Sequence, residues 1–253
     1  MTKSFAAGAA PKALIAALAL LACACSTPLA SRRAQVLEKG EVEFLVVPAA
    51  IAAVDLKSGS AAPLANLEGS VRFGILEHVD AQLRVDQFIT PEVSAGWQLI
   101  GDPKLNEFAV TVTGGAKFGL LPVSDSFGEF HPNISVPLQI LVDIPIGEEA
   151  AIYGGSRTIL GARFDGADGS AVAVTPGFVL GVSVPFGAFK LQPEIAANVP
   201  IQTAGSPLYG AGLAFFVVGI GVGGQFDIAA LKPPKPAEPA PTPTTPAPDP
   251  LDK

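Results

Sequence analysis

The sequence predicts an all-β fold, a closed antiparallel up-and-down β-barrel of about ten strands, and three observations carry that expectation. Ten stretches alternate apolar and polar residues with a period of two, the spacing at which successive strand side chains point to opposite faces. The polar faces of these stretches are crowded with Gly, Ser, Thr and Ala, with only one or two charges each. The connections alternate in length, with short turns at 77–79, 147–149 and 187 and longer loops at 55–65, 121–132 and 203–207. A soluble β-sandwich or ligand carrier would share the first property. It would not leave its water-facing side so poor in charge.

The chain begins with the marks of export. Lys3 and Lys12 precede a short apolar run, Ala13 to Ala22. A run of about ten residues falls short of the roughly 20 that a membrane helix needs, so residues 1–22 are expected to be a signal peptide. The run ends in Leu20-Leu21-Ala22-Cys23, which resembles the lipobox of bacterial lipoproteins. That resemblance implies cleavage before Cys23, diacylglycerol on its sulfur and an acyl chain on its freed amine. Cys25 is a rival acceptor, and an ordinary secretory signal is the alternative. No cysteine follows residue 25, so the body holds no disulfide and no thiolate metal site.

Residues 23–40 read as a lipidated polar tether and 41–227 as the barrel. Within it the expected strands are 41–54, 66–76, 80–88, 94–101, 107–120, 133–146, 150–164, 171–186, 188–202 and 208–226. The first is the weakest, because Pro48 and several alanines blur its alternation. The second is clear, with Leu67, Val71, Phe73 and Ile75 on one face and Asn66, Glu68, Ser70 and Arg72 on the other. The sixth sets Ile134, Val136, Leu138, Ile140 and Val142 against Asn133, Ser135, Gln139 and Asp143. Val142-Asp-Ile-Pro-Ile-Gly147 echoes Val182-Ser-Val-Pro-Phe-Gly187, each closing a strand before a tight turn. Residues 228–253 form a tail with nine prolines in its last 23 positions. Such a density favours polyproline II, an extended spacer able to reach on the order of 60–70 Å.

Charge and magnitude orient the sheet. Removing the signal leaves 14 basic residues against 23 acidic, a net charge of −9, which argues against nucleic acid as a partner. Charged residues are only 15% of the chain, and the mean hydropathy is +0.45. Arg72, Arg84, Lys117, Arg157, Arg163 and Lys190 share the polar faces. Each facing lipid at mid-depth costs roughly 2–4 kcal/mol, and six together would exceed a net stability of roughly 5–15 kcal/mol. In a membrane they are therefore expected to face the lumen, with Glu68, Asp86, Asp143 and Glu194 available to pair. Glycines on the same faces, among them Gly115, Gly155, Gly177, Gly219, Gly221 and Gly223, suit tight curvature.

These residues together make the body, about 41–226, similar to the small outer-membrane β-barrel superfamily of Gram-negative bacteria. The stretch Tyr209 to Phe226 resembles that family's closing strand, whose terminal aromatic is recognised during assembly. The single Trp and two Tyr leave Phe to build any aromatic girdle. The resemblance implies short turns toward the periplasm and longer loops outside.

Chemistry is sparse. Gly219-Ile-Gly-Val-Gly-Gly224 satisfies G-x-G-x-x-G but precedes no βαβ unit, so a glycine-lined strand is expected. Asp165, Asp168 and Ser170 hint at calcium without the closing Glu of an EF-hand loop. His131 follows a loop holding Ser124, Asp125, Ser126 and Glu129; residues crowded into one loop seldom hold hydrolase geometry. No cofactor is expected. The sequence thus predicts a lipid-anchored barrel in the outer membrane with a structural or interaction role and no catalysis. The alternatives are a soluble lipoprotein barrel carrying an apolar ligand and a narrow small-solute channel. Its expected partners are outer-membrane lipid and, through the tail, the cell wall or a periplasmic protein.

Overall fold

The computed structural model describes residues 29–86, 90–122, 130–164, 170–187, 189–204 and 213–228. They form β1 (Glu41–Asp55), β2 (Ala61–Leu76), β3 (Val79–Asp86), β4 (Pro91–Ile100), β5 (Ala109–Pro122), β6 (Phe130–Ile146), β7 (Ala150–Phe164), β8 (Ser170–Phe186), β9 (Phe189–Asn198), β10 (Ile201–Ala204) and β11 (Leu213–Asp227). Each strand from β1 to β8 pairs antiparallel with the next. The ninth expected strand is broken at Val199-Pro200; its second piece, β10, pairs with β8. β11 then pairs with β9 on one side and β1 on the other, from Glu41↔Asp227 to Asp55↔Leu213. The sheet is closed with ten positions around the ring. Closure leaves no unpaired edge, the condition for a sheet to sit in hydrocarbon.

The outward face obeys a strict rule. Reading alternate positions along each strand, the outward set includes Val46, Leu67, Phe73, Leu83, Val93, Val112, Ile140, Leu160, Phe178, Leu180, Ile195, Val218 and Ile220, all exposed. Among the described residues no Asp, Glu, Lys or Arg occupies an outward strand position. An apolar surface running round the whole barrel far exceeds the few hundred Å² that soluble monomers expose, so the solvent of this face is lipid. Phe44, Phe73, Trp97, Phe186, Phe189 and Phe226 are exposed near one rim, and Phe118, Phe164 and Phe216 toward the other. Phe and Trp thus mark both edges of the apolar band; Phe44 and Phe226 stack across the seam with centroids 6.4 Å apart. Tyr153 does not join them, because it turns into the lumen.

The two rims differ. Turns 77–78, 147–149 and the connection at 187–188 lie on one, together with 101–108, Gly40 and Ile228; we term it the turn rim. The turn 56–60 and the strand ends Asp86, Pro122, Phe164 and Ala204 lie on the other, the loop rim. At the turn rim the chain reverses into β1 at Gly40, whose φ of +93° is costly for any residue with a Cβ. The Gly40 N–H donates to Gly74 O at 3.0 Å, and the Ile228 N–H to Gly40 O at 3.1 Å, tying both ends of the barrel together.

The stretch expected to be a tether does not stand outside the barrel. Leu29, Ala30, Ser31, Arg32, Ala34, Val36 and Leu37 are buried within the lumen. The physical reason is complementarity: the wall offers carboxylates and small residues at the places where this segment carries guanidinium groups, backbone N–H groups and methyls.

Candidate functional site in the barrel lumen

β2 to β9 carry the wall charges on inward positions, because each strand keeps its apolar partner positions for lipid. Glu68, Arg72, Arg84, Asp86, Lys117, Asp143, Arg157, Lys190 and Glu194 are all buried there, and Arg163 is half-buried on the inward side of β7. Arg84 bridges Glu68 at 3.4 Å and Glu92 at 3.1 Å, and Glu92 accepts from Arg157 at 2.9 Å. That chain runs from β2 to β7 and spans the lumen. Lys117 reaches Asp86 at 3.1 Å. Nearer the turn rim, Lys190 pairs with Glu43, which holds Arg72 at 3.1 Å, and Arg72 in turn pairs with Asp80. The acids Glu43, Asp80 and Glu92 complete these pairs and are absent from the sequence-derived set. Glu43 lies in the blurred first strand, and Glu92 precedes the expected start of the fourth. Alternation with Gln82 and Arg84 could have revealed Asp80.

Two acids are held mainly by the N-terminal segment. The Asp143 side chain is wholly buried, and its partners are Arg33 Nε at 2.7 Å and the N–H groups of Ala34 (2.7 Å) and Gln35 (3.0 Å). Glu194 accepts from the N–H groups of Ala30 and Ser31 and from the Tyr153 hydroxyl at 2.8 Å. Ser31, at φ +52°, turns its hydroxyl onto Glu68. Arg32 meets Asp80 at 2.9 Å. The segment's carbonyls are also bound: Leu29 O by Arg84 at 2.7 Å, Ser31 O by Gln82 at 3.2 Å, Ala34 O by Thr111 and Gln35 O by Arg72 at 3.0 Å.

Glycines make room for this contact. A Cβ at Gly74 would overlap the Glu38 carbonyl, one at Gly96 the Arg32 guanidinium, and one at Gly219 would stand 2.8 Å from Leu29 Cδ1. Gly96→Leu is accordingly expected to displace Arg32 and to destabilise the barrel by about 1–3 kcal/mol through overpacking, read as a lower urea midpoint in lipid vesicles. The lumen is two-sided. Leu45, Val47, Ile51, Ala53, Val179, Ala196, Phe215 and Val217 pack with Leu29, Ala30 and Ala34 in one apolar cluster, while the ionic pairs gather mostly on β2 to β7. Such a lumen grips an extended peptide by its backbone and its two arginines. A cavity of about 460 Å³ opens at the turn-rim mouth, between Arg33, Glu43, Arg72, Lys104, Glu149 and Lys190.

The remaining candidates are not gathered at this place. Gly219 to Gly224 lie within β11. Ser124, Asp125, Ser126, Glu129, Asp165 and Asp168 lie outside the described residues, as do Cys23, Cys25 and the proline-rich tail. His78 is exposed in the β2–β3 turn. No group of three or more His, Cys, Asp or Glu able to hold a metal ion occurs among the described residues.

No protein-family model matches the chain, and no curated protein matches it in sequence. Among solved structures it is similar to Neisserial surface protein A, with 15% identity over 74% of this chain and 100% of that one and a TM-score of 0.36. It is likewise similar to Ail, the attachment invasion locus protein of Yersinia pestis, with 12% identity, coverage of 74% and 99%, and a TM-score of 0.35. Outer membrane protease OmpT from Escherichia coli shows 9% identity, coverage of 74% and 96%, and a TM-score of 0.42.

Proposed function

We propose that this outer-membrane β-barrel is a lipid-anchored, non-catalytic protein with a structural or interaction role, acylated at Cys23. The observation that carries this reading is a lumen occupied by the protein's own N-terminal segment. Among the described residues, the wall charges are spent on ion pairs and on that segment, which supports a non-catalytic role. The exterior supports residence in lipid independently of any acyl chain. Cys23→Ser is therefore expected to abolish incorporation of labelled palmitate while the barrel stays in membranes after alkaline extraction. Release of the variant into the soluble fraction would favour an apolar-ligand carrier instead.

A channel fits the lumen less well. The segment occupies the turn-side half beside a cavity of about 460 Å³, and the chain from Glu68 through Arg84 and Glu92 to Arg157 crosses the middle. Purified protein is expected to be silent in planar bilayers. Ile228, which follows β11, lies at the turn rim, the periplasmic side in outer-membrane barrels. Contact of the tail with peptidoglycan or a periplasmic partner is motivated by its reach and composition; loss of co-sedimentation with cell wall on deleting 231–253 tests it.

A further inference from the structure

The cavity at the turn-rim mouth carries both signs of charge, in a fixed order. Its inner end holds Arg33, Arg72 and Lys190, whose side chains are only 13%, 1% and 11% exposed. Its outer end holds Glu38 and Glu41, half-buried, and Glu148 and Glu149, exposed. The fold places these groups for separate reasons. Arg72 and Lys190 occupy inward strand positions, the side of the wall that lipid leaves to charge. Glu148 and Glu149 belong to the tight turn between β6 and β7, beyond the wall. Arg33 and Glu38 come from the N-terminal segment, so the docked segment forms one side of the cavity.

These groups keep bonding capacity in hand. A lysine ammonium carries several donors, and Lys190 gives one to Glu43. Arg33 gives Nε to Asp143 and Nη2 to Asn106, which leaves Nη1 for another acceptor. Arg72 is committed to Glu43, Asp80 and the Gln35 carbonyl, and contributes its charge. Among the described residues, Glu38, Glu41, Glu148 and Glu149 make no ion pair. The fourth cation of the lining, Lys104, is exposed and lies 3.9 Å from Glu77.

The order of charge selects the ligand. A lone anion must pass the carboxylates at the mouth to reach Lys190 and Arg33. A lone cation stops at the mouth and leaves the inner donors unused. A molecule with a carboxylate at its leading end and ammonium groups behind it complements both ends at once. The volume of about 460 Å³ lies within the roughly 300–1,000 Å³ of small-molecule sites and accepts an amino acid or a short peptide.

We propose that the turn-rim mouth binds a free zwitterionic amino acid or short peptide. Its carboxylate points inward to Lys190 and Arg33, and its amines face the four glutamates at the mouth. Short turns face the periplasm in outer-membrane barrels, so the ligand arrives from that side. Free peptides and the peptide branches of the cell wall share this chemistry. The site rests on the interaction role proposed above and gives it a ligand; acylation at Cys23 plays no part in it.

The test is calorimetric titration of the whole protein, extracted from membranes and held in lipid vesicles. The probes are alanyl-lysine, its C-terminal amide, and N-acetyl-alanyl-alanine. Alanyl-lysine is expected to bind, and each of the others, lacking one sign of charge, to bind about tenfold more weakly or not at all. Lys190→Gln is expected to weaken alanyl-lysine about tenfold. Because Lys190 lies in the wall, the exposed pair Glu148→Gln with Glu149→Gln is a second variant, expected to weaken binding about threefold. Heat-modifiable migration confirms that each variant is folded. Equal affinity for alanyl-lysine and its amide, or no binding up to about 10 mM, overturns the site. Solubilised cell-wall fragments added as competitor separate the sources: displacement of alanyl-lysine assigns the wall, and its absence assigns free peptides. Cys23→Ser is expected to leave the titration unchanged. Lost binding with the barrel still in membranes removes the ligand and leaves a structural role standing.

Discussion

Ile220→Arg will strip a large share of the barrel's stability in lipid, roughly 2–4 kcal/mol. Ile220 is central in β11, points outward and is half exposed to the surrounding lipid. An arginine at the bilayer midplane of such a barrel costs roughly 2–4 kcal/mol, against about 0–1 kcal/mol near the interface. Phe226→Arg, at the turn rim, is the matched control and should lose far less. Urea unfolding of both variants in lipid vesicles gives the comparison. If this closed barrel stood with the same exterior in water, Ile220→Arg would cost little, so equal midpoints for wild type and variant would sink the membrane reading.

Asp143→Ala will undock the segment inside the lumen. Among the described residues, every side-chain partner of Asp143 belongs to that segment: Arg33, Ala34 and Gln35. Removing one member of a buried ion pair costs roughly 3–5 kcal/mol, because the remaining charge is left without compensation. The expected result is a large drop in the urea midpoint together with trypsin cleavage after Arg32 and Arg33, both resistant in the wild type. Asp143→Asn keeps one acceptor oxygen for the two N–H groups and should fall between. A midpoint loss without tryptic exposure would mean that Asp143 stabilises the wall and not the segment.

The strands were legible because lipid imposes a period of two without exception, as in β6, where Ile134 through Ile144 alternate with Asn133 through Asp143. Where both faces are apolar, that signal fades. β1 turns Leu45, Val47 and Ile51 inward while Phe44 and Val46 face lipid, so its alternation is erased by the apolar side of the lumen. The start of β2 was missed for a related reason, since Ala61, Ala62 and Ala65 are too small to mark a face. The segment at 29–39 has no period because it belongs to no sheet. Its paired arginines find their buried acidic partners on wall residues 48 to 110 positions away in sequence. A surplus of wall acids that find no wall cation, Asp143 above all, was the available sign. Pro200 broke the ninth strand by withdrawing a ladder donor at a place where alternation alone predicts continuity.

The seam between β1 and β11 also dictates the order in which the molecule is put together. Glu41 finds Asp227 only after nearly the whole chain has been delivered, yet the peptide that precedes Glu41 ends up encircled by every strand. A charged, hydrogen-bonded peptide cannot be drawn afterwards past the guanidinium groups that cross the finished ring. The cylinder must zip shut around it as a last step, capturing it like a rope in a closing shackle. Once locked, the occupant leaves only when the first and last staves part. A barrel matured without its leader should then refuse the same peptide added later from solution.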